Sequence, residues 1–418
     1  MGRSFRDLGF VFLALGVLFR RPAAATSGAV LLSIALLSYI LSRLSTSDVH
    51  YTRDLSQKAA FFGDTVFVRC RVENRKPLPV WLRLDDDLPA GWVTGPDLIL
   101  QAGRPRAVRR TEVALGAYET SIKDYPLDCS SRGVFTLGPA SLQSRDPFGL
   151  YPVTKALGSR QTLVVYPRIV PVDDAPCKDL HPFGTKRRES WVYQDPVELK
   201  TSRDYSPGDA ARFIDHKASA RTGNLKTRVF DATFARRVVI CLNLSTARAP
   251  WEGADIEVFE SLVTAASSVA WSLSRKGQSV GLCTNGISRP EEGFSFLAQC
   301  PPASGSENLR QILTCLSGLG YYVFDAFSKA CRVSWLRSSP THPLIITSVL
   351  DDEVISLLQS RDSRDGTVLL LDRSTANAPT QDPALDEVAG LCQGRVFVAE
   401  LEGGWQHAER LRIDPLAR

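Results

Sequence analysis

Residues 238–242 read Val-Val-Ile-Cys-Leu, a run without a single polar side chain. A continuous apolar strand is typical of a parallel sheet that is covered on both faces. The next segment, 256–274, repeats apolar side chains at helical spacing and predicts an amphipathic helix. Because strand and helix candidates alternate from there onward, we predict a doubly wound α/β domain over residues 237–400, with a tail at 401–418. Its further strand candidates are 279–283, 343–349, 367–371 and 395–399, and its further helix candidates are 307–316, 322–336, 351–358 and 383–391.

Upstream, residues 51–171 have the pattern of short strands. In 65–73, Val66, Val68 and Val72 alternate with polar residues and share one face with Cys70. Turn signals separate further short apolar runs, and no helical period is present. This pattern predicts an antiparallel β-sandwich that serves as a spacer or docking platform. Its other strand candidates are 80–84, 98–100, 110–115, 134–137 and 162–166.

The first 45 residues predict a membrane anchor. Residues 22–42 carry no charge and, as a helix, would rise about 31 Å, the thickness of a bilayer's hydrocarbon core. A shorter apolar run at 8–19 resembles a signal-peptide core, but the charged pair that follows it favours a hairpin of two membrane helices. The flanking arginines place both ends in the cytoplasm, so we expect an inner-membrane protein with cytoplasmic soluble domains. They are Arg3, Arg6 and Arg43 on one side, and Arg20 and Arg21 on the other.

Composition excludes several classes of protein. The chain has 418 residues, of which 44% are apolar and 23% charged, as in ordinary folded proteins. A net charge of +5 is too small to indicate nucleic acid binding, and none is expected. None of the nine cysteines lies within four positions of another, which excludes a Cys-x-x-Cys motif. We predict buried, reduced thiols, with a Cys70–Cys129 disulfide as the alternative.

Between the two predicted domains, residues 172–236 are polar and irregular and predict a connector. Its stretch 203–223 reads RDYSPGDAARFIDHKASARTG. With other segments, this stretch resembles the bacterial family called domain of unknown function 58 over most of the chain. The sharpest match is Arg203-x-Tyr205-x-Pro207-Gly208-Asp209, followed by Arg212, Ile214 and 217–221. The other matching segments are 74–79, 132–139, 145–150 and 165–168.

The resemblance implies a membrane-anchored protein with a last domain similar to a von Willebrand factor A domain. It also implies a MoxR-type AAA+ ATPase as the partner, and it implies no established reaction. One residue departs from the family, since His216 stands where Trp is usual.

Three roles are open for the signature: an ion-paired connector between the predicted domains, a docking surface for a protein, or a catalytic site. The last would be a hydrolase that uses Asp209, Asp215 and His216. Adjacent residues do not face each other on a helix or strand, which argues against it. The candidate residues are Arg203, Tyr205, Pro207, Gly208, Asp209, Arg212, Asp215, His216, Lys217 and Arg221.

The resemblance also raises the question of a metal. Von Willebrand factor A domains that bind Mg²⁺ carry Asp-x-Ser-x-Ser after the first strand and an Asp after a later one. Here the corresponding residues are Asn243, Ser245, Ala247 and Ser348. Two carboxylates and a hydroxyl are missing, and hard cations need carboxylate oxygens, so we expect no metal.

No phosphate-binding loop, nucleophile elbow or metalloprotease motif is present in the sequence. We therefore expect a membrane-anchored, non-enzymatic scaffold without a cofactor. It would bind a protein partner during assembly or maturation of envelope components. The alternative is an adhesion-type domain that depends on a divalent metal.

Overall fold

The structure is a computed structural model. It describes residues 2–92, 98–100, 106–144, 149–158, 160–172, 199–206, 214–230, 237–247, 253–288, 296–323, 325–332, 341–359, 367–371, 383–392 and 395–415. The chain divides into two compact units. The first comprises Met1–Ile169, Gly286–Ala298 and Gln311–Phe324, and the second comprises Val170–Asn285, Gln299–Arg310 and Asp325–Arg418. The five-part division predicted from the sequence stays a prediction.

Two helices, α1 (Gly2–Leu18) and α2 (Pro22–Ser45), form a hairpin at the start of the chain. A Cβ on Gly16 would lie 2.6 Å from the Cα of Ala25, and Gly28 is similarly close to the backbone of α1. Small residues are thus required where the two backbones meet. Among the described helices, α2 alone is long and apolar enough to cross a membrane. With 17 residues, α1 lies at the lower end of the length of a spanning helix, so one of the two predicted membrane helices is supported and the other stays a prediction.

Strands β1 to β11 follow in the same unit. They are β1 (Val49–Leu55), β2 (Ala59–Phe61), β3 (Thr65–Asn74), β4 (Val80–Pro89), β5 (Leu98–Leu100), β6 (Arg106–Leu115), β7 (Thr120–Asp128), β8 (Gly133–Leu137), β9 (Ala140–Ser144), β10 (Val153–Leu157) and β11 (Gln161–Tyr166). They form three sheets, ordered β1-β3-β7, β10-β9-β4-β6-β5 and β2-β11-β8.

These sheets share one apolar core, and the alternation seen in the sequence builds it. Val66, Val68 and Val72 of β3 are buried as predicted, and they pack with Leu84 of β4 and Leu163 of β11. The described strand pairs of this region are antiparallel, with one exception. β2 runs parallel to β11, which corrects the wholly antiparallel arrangement that we predicted.

A buried ion pair interrupts this apolar core. The guanidinium of Arg53 donates to Asp86 at 2.5 Å, and both side chains are at most 3% exposed. A second Arg53 nitrogen donates to the Leu137 carbonyl at 2.6 Å, and the Tyr125 hydroxyl donates to Asp86 at 2.6 Å. Desolvation raises the pKa of Tyr125 far above its usual range, which keeps the phenol a donor. This network joins strands of all three sheets, namely β1 and β7 of the first, β4 of the second and β8 of the third.

The thiols of this region are not cross-linked. Cys70 and Cys129 are both buried and free, so the alternative disulfide between them is not formed. The sulfur of Cys70 instead lies 3.2 Å from the Tyr51 hydroxyl. The other described cysteines are free as well, while Cys177 lies outside the described residues.

The second half of the chain contributes the remaining elements. The strands are β12 (Leu199–Asp204), β13 (Lys226–Phe230), β14 (Arg237–Leu242), β15 (Ser279–Ser288), β16 (Phe296–Ala303), β17 (Leu319–Val323), β18 (Thr341–Thr347), β19 (Thr367–Leu371), β20 (Val396–Glu402) and β21 (Arg410–Pro415). The helices are α3 (His216–Thr222), α4 (Ile256–Arg275), α5 (Ser306–Ser317), α6 (Phe327–Ala330), α7 (Asp352–Gln359), α8 (Pro383–Leu391) and α9 (Gly404–His407).

Most of these strands form one sheet, in the order β16-β15-β14-β18-β19-β20-β21, with β17 paired to β15. The pairs β14–β15, β14–β18, β18–β19 and β19–β20 are parallel. Every residue of 238–242 is buried, as a strand covered on both faces requires. Helix α4 begins at an Asp255 cap, and its predicted apolar stripe is buried. The mixed α/β character that we predicted for this region is confirmed.

One predicted element is wrong. We expected a helix over 322–336, but residues 319–323 form β17, and the short helix α6 follows at Phe327–Ala330. The physical reason is pairing, because Val323 lies opposite Gly286 of β15. Tyr-Tyr-Val favours a strand wherever a partner strand is available.

Candidate functional site

The described part of the signature is a β-hairpin that carries a short helix. Strands β12 and β13 pair antiparallel, with Arg203 opposite Thr227. Helix α3 begins after Asp215, whose carboxylate accepts a 3.1 Å hydrogen bond from the Ala218 N–H. It ends at Gly223, whose φ of 72° is the left-handed conformation that closes many helices. Asp215 is 7% exposed, so its position and its hydrogen bond define it as a structural cap.

Helix α3 presents basic side chains to solvent. His216, Lys217 and Arg221 are exposed, and we call them, together with the neighbouring Tyr205, the basic face. Tyr205 is 37% exposed, and its backbone N–H donates to the Leu225 carbonyl at 2.9 Å. This bond fixes Tyr205 next to the segment that leaves α3, and exposed aromatic and basic residues are the composition of a protein-docking surface.

Part of the predicted signature cannot be placed. Pro207, Gly208, Asp209 and Arg212 lie outside the described residues, as does the side chain of Arg203. For the hydrolase hypothesis, the described residues give a buried Asp215 that caps a helix and an exposed His216. The Asp215 carboxylate thus accepts the hydrogen bond of a helix cap, from the Ala218 N–H.

The degenerate metal positions converge at the ends of parallel strands. We call Asn243, Ser245, Asn285, Thr347 and Ser348 the amide–hydroxyl cluster. Asn285 Nδ2 donates to Asn243 Oδ1 at 2.9 Å, and Asn243 Nδ2 donates to Thr347 Oγ1 at 3.2 Å. Ser348 Oγ donates to the Ser245 carbonyl at 3.2 Å. The structure thus brings three of the four predicted positions into one hydrogen-bonded group.

The cluster satisfies its own polar groups. Asn285 Oδ1 accepts from the Leu244 N–H at 2.9 Å, and Asn243 Oδ1 also accepts from the Ser245 N–H at 3.1 Å. Ala247, the fourth predicted position, has no side-chain oxygen. The donor set is therefore neutral, and its amide oxygens already hold protein hydrogen bonds. Such a set is a poor match for Mg²⁺, which prefers carboxylates.

Sequence reasoning missed two members of this cluster, Asn285 and Thr347. The sequence contained a signal for Asn285, because this polar residue lies two positions after the apolar run 280–283 of a predicted strand. A polar side chain in a buried strand needs a hydrogen-bond partner. Asn285 is only 1% exposed and finds its partners in the neighbouring loop.

The acidic residue nearest to the cluster in sequence has a separate role. Asp351 follows Ser348 by three residues, and its carboxylate accepts from the Val354 N–H at 2.9 Å. It therefore holds the first turn of α7 rather than pointing a charge at the cluster. Desolvation raises the pKa of Asp351 above its ordinary value of 3.8.

This raised pKa predicts a measurable pH dependence. Between its ordinary and its raised pKa, Asp351 binds more protons in the folded state, so stability falls as the pH rises through that window. Asp351→Asn keeps the capping oxygen and removes the charge, so the melting temperature should depend less on pH just above pH 3.8. Asp255→Asn, at the exposed N-cap of α4, is the matched control. A profile as steep as that of the unmodified protein would contradict the prediction.

Three cysteines form a second group of interest. Cys283 Sγ lies 3.3 Å from Cys241 Sγ and 3.4 Å from Cys331 Sγ. Among the described residues, it is the one group of His, Cys, Asp or Glu side chains close enough to share a metal ion. Hydrogen bonding to Cys241, together with burial, raises the pKa of Cys283 and Cys331. Protonated thiols in a core pack as small apolar side chains.

The fold is mixed α/β with an apolar N-terminal helix, and residues 201–372 match the family described as "Protein of unknown function DUF58". This match confirms the resemblance of the signature to the family called domain of unknown function 58. Over 357 residues it is 20% identical to the uncharacterized protein YeaD of Bacillus subtilis (strain 168), covering 84% of this chain and 83% of that protein.

Solved structures resemble the chain only remotely. The CARDB domain of the PF1109 protein from Pyrococcus furiosus is 10% identical with a TM-score of 0.20, covering 28% of this chain and 87% of that chain. The sporulation control protein Spo0M from Bacillus subtilis is 9% identical with a TM-score of 0.18, covering 28% and 49%. Neither likeness carries an argument about fold or activity.

Proposed function

We propose that this chain is a membrane-anchored, non-enzymatic interaction protein. Its α/β part is von Willebrand factor A-like, and the basic face of α3 binds a protein partner. The family resemblance implies a MoxR-type AAA+ ATPase as that partner, in assembly or maturation of envelope components. The observation that carries the proposal is the exposure of Tyr205 and of Lys217 and Arg221 of α3, all within the residues that match the family.

Strand order supports the proposed similarity to a von Willebrand factor A domain. If the strands of this sheet are numbered along the chain and β17 is left out, their order is 3-2-1-4-5-6-7. One common order of doubly wound sheets is 3-2-1-4-5-6, and such sheets bind ligands at the carboxyl ends of their strands. The amide–hydroxyl cluster occupies such strand ends and presents no carboxylate. A partner would therefore be recognised elsewhere, and the basic face is the candidate that the signature provides.

The exposure of α2 supports the proposed anchor. A helix in the core of a soluble protein buries its apolar side chains, yet Leu36 is 61% and Ile40 44% exposed. Its mean hydropathy of 1.9 and its 24 residues suit a bilayer. An ATPase partner needs ATP, so the soluble part would face the cytoplasm, in agreement with the arginine distribution.

The test is affinity purification of the full-length protein from its own membranes, followed by mass spectrometry. Lys217→Glu with Arg221→Glu reverses the charge of the basic face and should lower recovery of the partner at least about tenfold, because complementary charges steer association. Arg310→Glu, an exposed arginine on α5, is the matched control. An unchanged set of partners, with melting temperatures held, would refute the docking role.

A capping variant separates docking from folding. Asp215→Ala removes the N-cap of α3 and should cost about 1 kcal/mol of stability while leaving the basic side chains in place. If the signature is a structural connector, this variant loses the partner and the charge reversal does not. If the basic face is the docking surface, the charge reversal lowers recovery of the partner more than Asp215→Ala does.

A further inference from the structure

An open groove lies where the helical hairpin meets the segment that leads into β10. Its volume is about 1080 Å³, and both helices of the hairpin contribute to its wall. Arg3 and Arg6 come from the first turns of α1, and Arg43 comes from the last turn of α2. All three arginines therefore lie at the same end of the hairpin, while Arg20 and Arg21 lie at the other end, in its turn.

Contacts within the first unit hold the far wall of the groove in place. The Ser42 hydroxyl donates to the Tyr151 carbonyl, and the Tyr39 and Tyr151 rings meet edge to face with centroids 5.7 Å apart. The guanidinium of Arg43 lies 5.5 Å from the centre of the Tyr39 ring. A cation on the face of a ring keeps its outer N–H groups available to an anion.

Among the described residues, the arginines that line the groove outnumber their carboxylate partners. Arg6 pairs with the neighbouring Asp7 at 3.0 Å, with both side chains more than half exposed. For the described part of the chain, no carboxylate partner is recorded for Arg3 or Arg43. An excess of positive charge thus remains beside a wall of apolar side chains, among them Phe10, which is 54% exposed.

We propose that this groove binds an anionic phospholipid, with Arg3 and Arg43 at its headgroup phosphate and Phe10 and Leu36 along its acyl chain. The inference rests on the proposed membrane anchor. As a helix, the 24 residues of α2 rise about 36 Å, more than the hydrocarbon core. Arg43, two residues from the end of α2, then lies at the depth of the lipid phosphates. An anchored chain would thereby select the negatively charged lipids that surround it.

The experiment uses the full-length protein and vesicles of phosphatidylcholine, alone or mixed with phosphatidylglycerol. Flotation reports whether the protein stays with the bilayer, and a photo-crosslinkable phosphatidylglycerol analogue reports occupancy of the groove. We expect cross-links to residues 149–153. Arg3→Gln with Arg43→Gln should lower the apparent affinity for the analogue about thirtyfold, as the loss of two arginine–lipid contacts requires. Arg20→Gln with Arg21→Gln removes the same charge at the other end of the hairpin and should leave cross-linking at 149–153 unchanged.

Each other outcome overturns a different part of the inference. Equal losses in both double variants would mean general attraction to the surface and no groove site. Competition by soluble glycerol 3-phosphate as strong as that by the lipid would identify a free phosphate as the ligand. Flotation without cross-links to 149–153 would refute the groove and keep the anchor. If the protein fails to float even with phosphatidylcholine vesicles, the proposed anchor is refuted, and so is lipid binding in the groove.

Discussion

Replacing Asp86 with alanine is expected to destabilise the β-sheet core of the first unit by about 3–5 kcal/mol. The change leaves the guanidinium of Arg53 buried without its carboxylate, and that side chain is only 2% exposed. It also removes the acceptor of the Tyr125 hydroxyl. A buried cation without a counter-charge costs far more than the lost contact itself, because no water replaces the carboxylate.

An exposed ion pair on neighbouring strands of the same unit gives the control. Arg69 of β3 pairs with Asp124 of β7 at 2.8 Å, but these side chains are 61% and 46% exposed. Asp124→Ala removes a similar contact in water and should change stability by about 1 kcal/mol or less. Hydrogen exchange of peptides from β3 and β7 reports the free energy of local opening. Measured in the full-length protein, it compares the two variants on the same strands.

A double variant separates the cost of an orphaned charge from the value of the pair. Arg53→Met with Asp86→Leu replaces both ions by apolar groups of similar size. It should recover most of the stability that Asp86→Ala loses, because a buried pair returns little net energy after desolvation. Equal losses in Asp86→Ala and Asp124→Ala would contradict the explanation. A double variant that is no more stable than Asp86→Ala would also contradict the explanation. The loss of stability would then come from packing.

Local patterns in the sequence were enough for much of the secondary structure. The alternation in β3 and the apolar run of β14 each imply burial from side-chain direction alone, and the structure has both. The predicted helix over 322–336 was wrong because its outcome depended on a distant partner. β17 pairs with β15, about thirty-five residues earlier, and a local window contains no sign of that strand.

The buried ion pair left a signal that was not used. Arg53 occupies an inward position of β1, and Asp86 occupies an inward position of β4. A charged side chain on the buried face of a strand needs an opposite charge nearby. Which two charges meet is a matter of how the sheets pack, so the pairing itself could not be derived from either strand.

The amide–hydroxyl cluster was partly predictable for a similar reason. The carboxyl ends of neighbouring parallel strands lie at the same edge of a sheet, so Asn243 and Ser348 were expected close together. The contribution of Asn285 depends on which strand lies on the other side of β14. Strand order across a sheet is a long-range property, and the resemblance to a family of unknown function did not define it.

Restoring the missing carboxylate at residue 243 is the second large-effect prediction. Asn243→Asp should cost about 3 kcal/mol at neutral pH, because Asn243 is fully buried and its Nδ2 currently donates to Thr347 Oγ1. An aspartate oxygen in that place would face a hydroxyl that already donates to the Val349 carbonyl at 2.6 Å. The new carboxylate would take up a proton with a raised pKa, so stability should recover as the pH falls.

The response of this variant to Mg²⁺ distinguishes a neutral, metal-free cluster from the adhesion-type domain that depends on a divalent metal. If the surrounding groups retain a metal site, millimolar Mg²⁺ should stabilise Asn243→Asp, because a bound cation offsets the buried charge. We expect no such shift, since Ala247 still lacks the hydroxyl and Ser348 the second carboxylate, and Asn285 remains bonded to the loop. The measurement is the melting temperature of the full-length variant across pH, with and without Mg²⁺, beside Asn243→Ala. Recovery with Mg²⁺ at neutral pH, absent in Asn243→Ala, would overturn the neutral-cluster interpretation and restore the metal-dependent one.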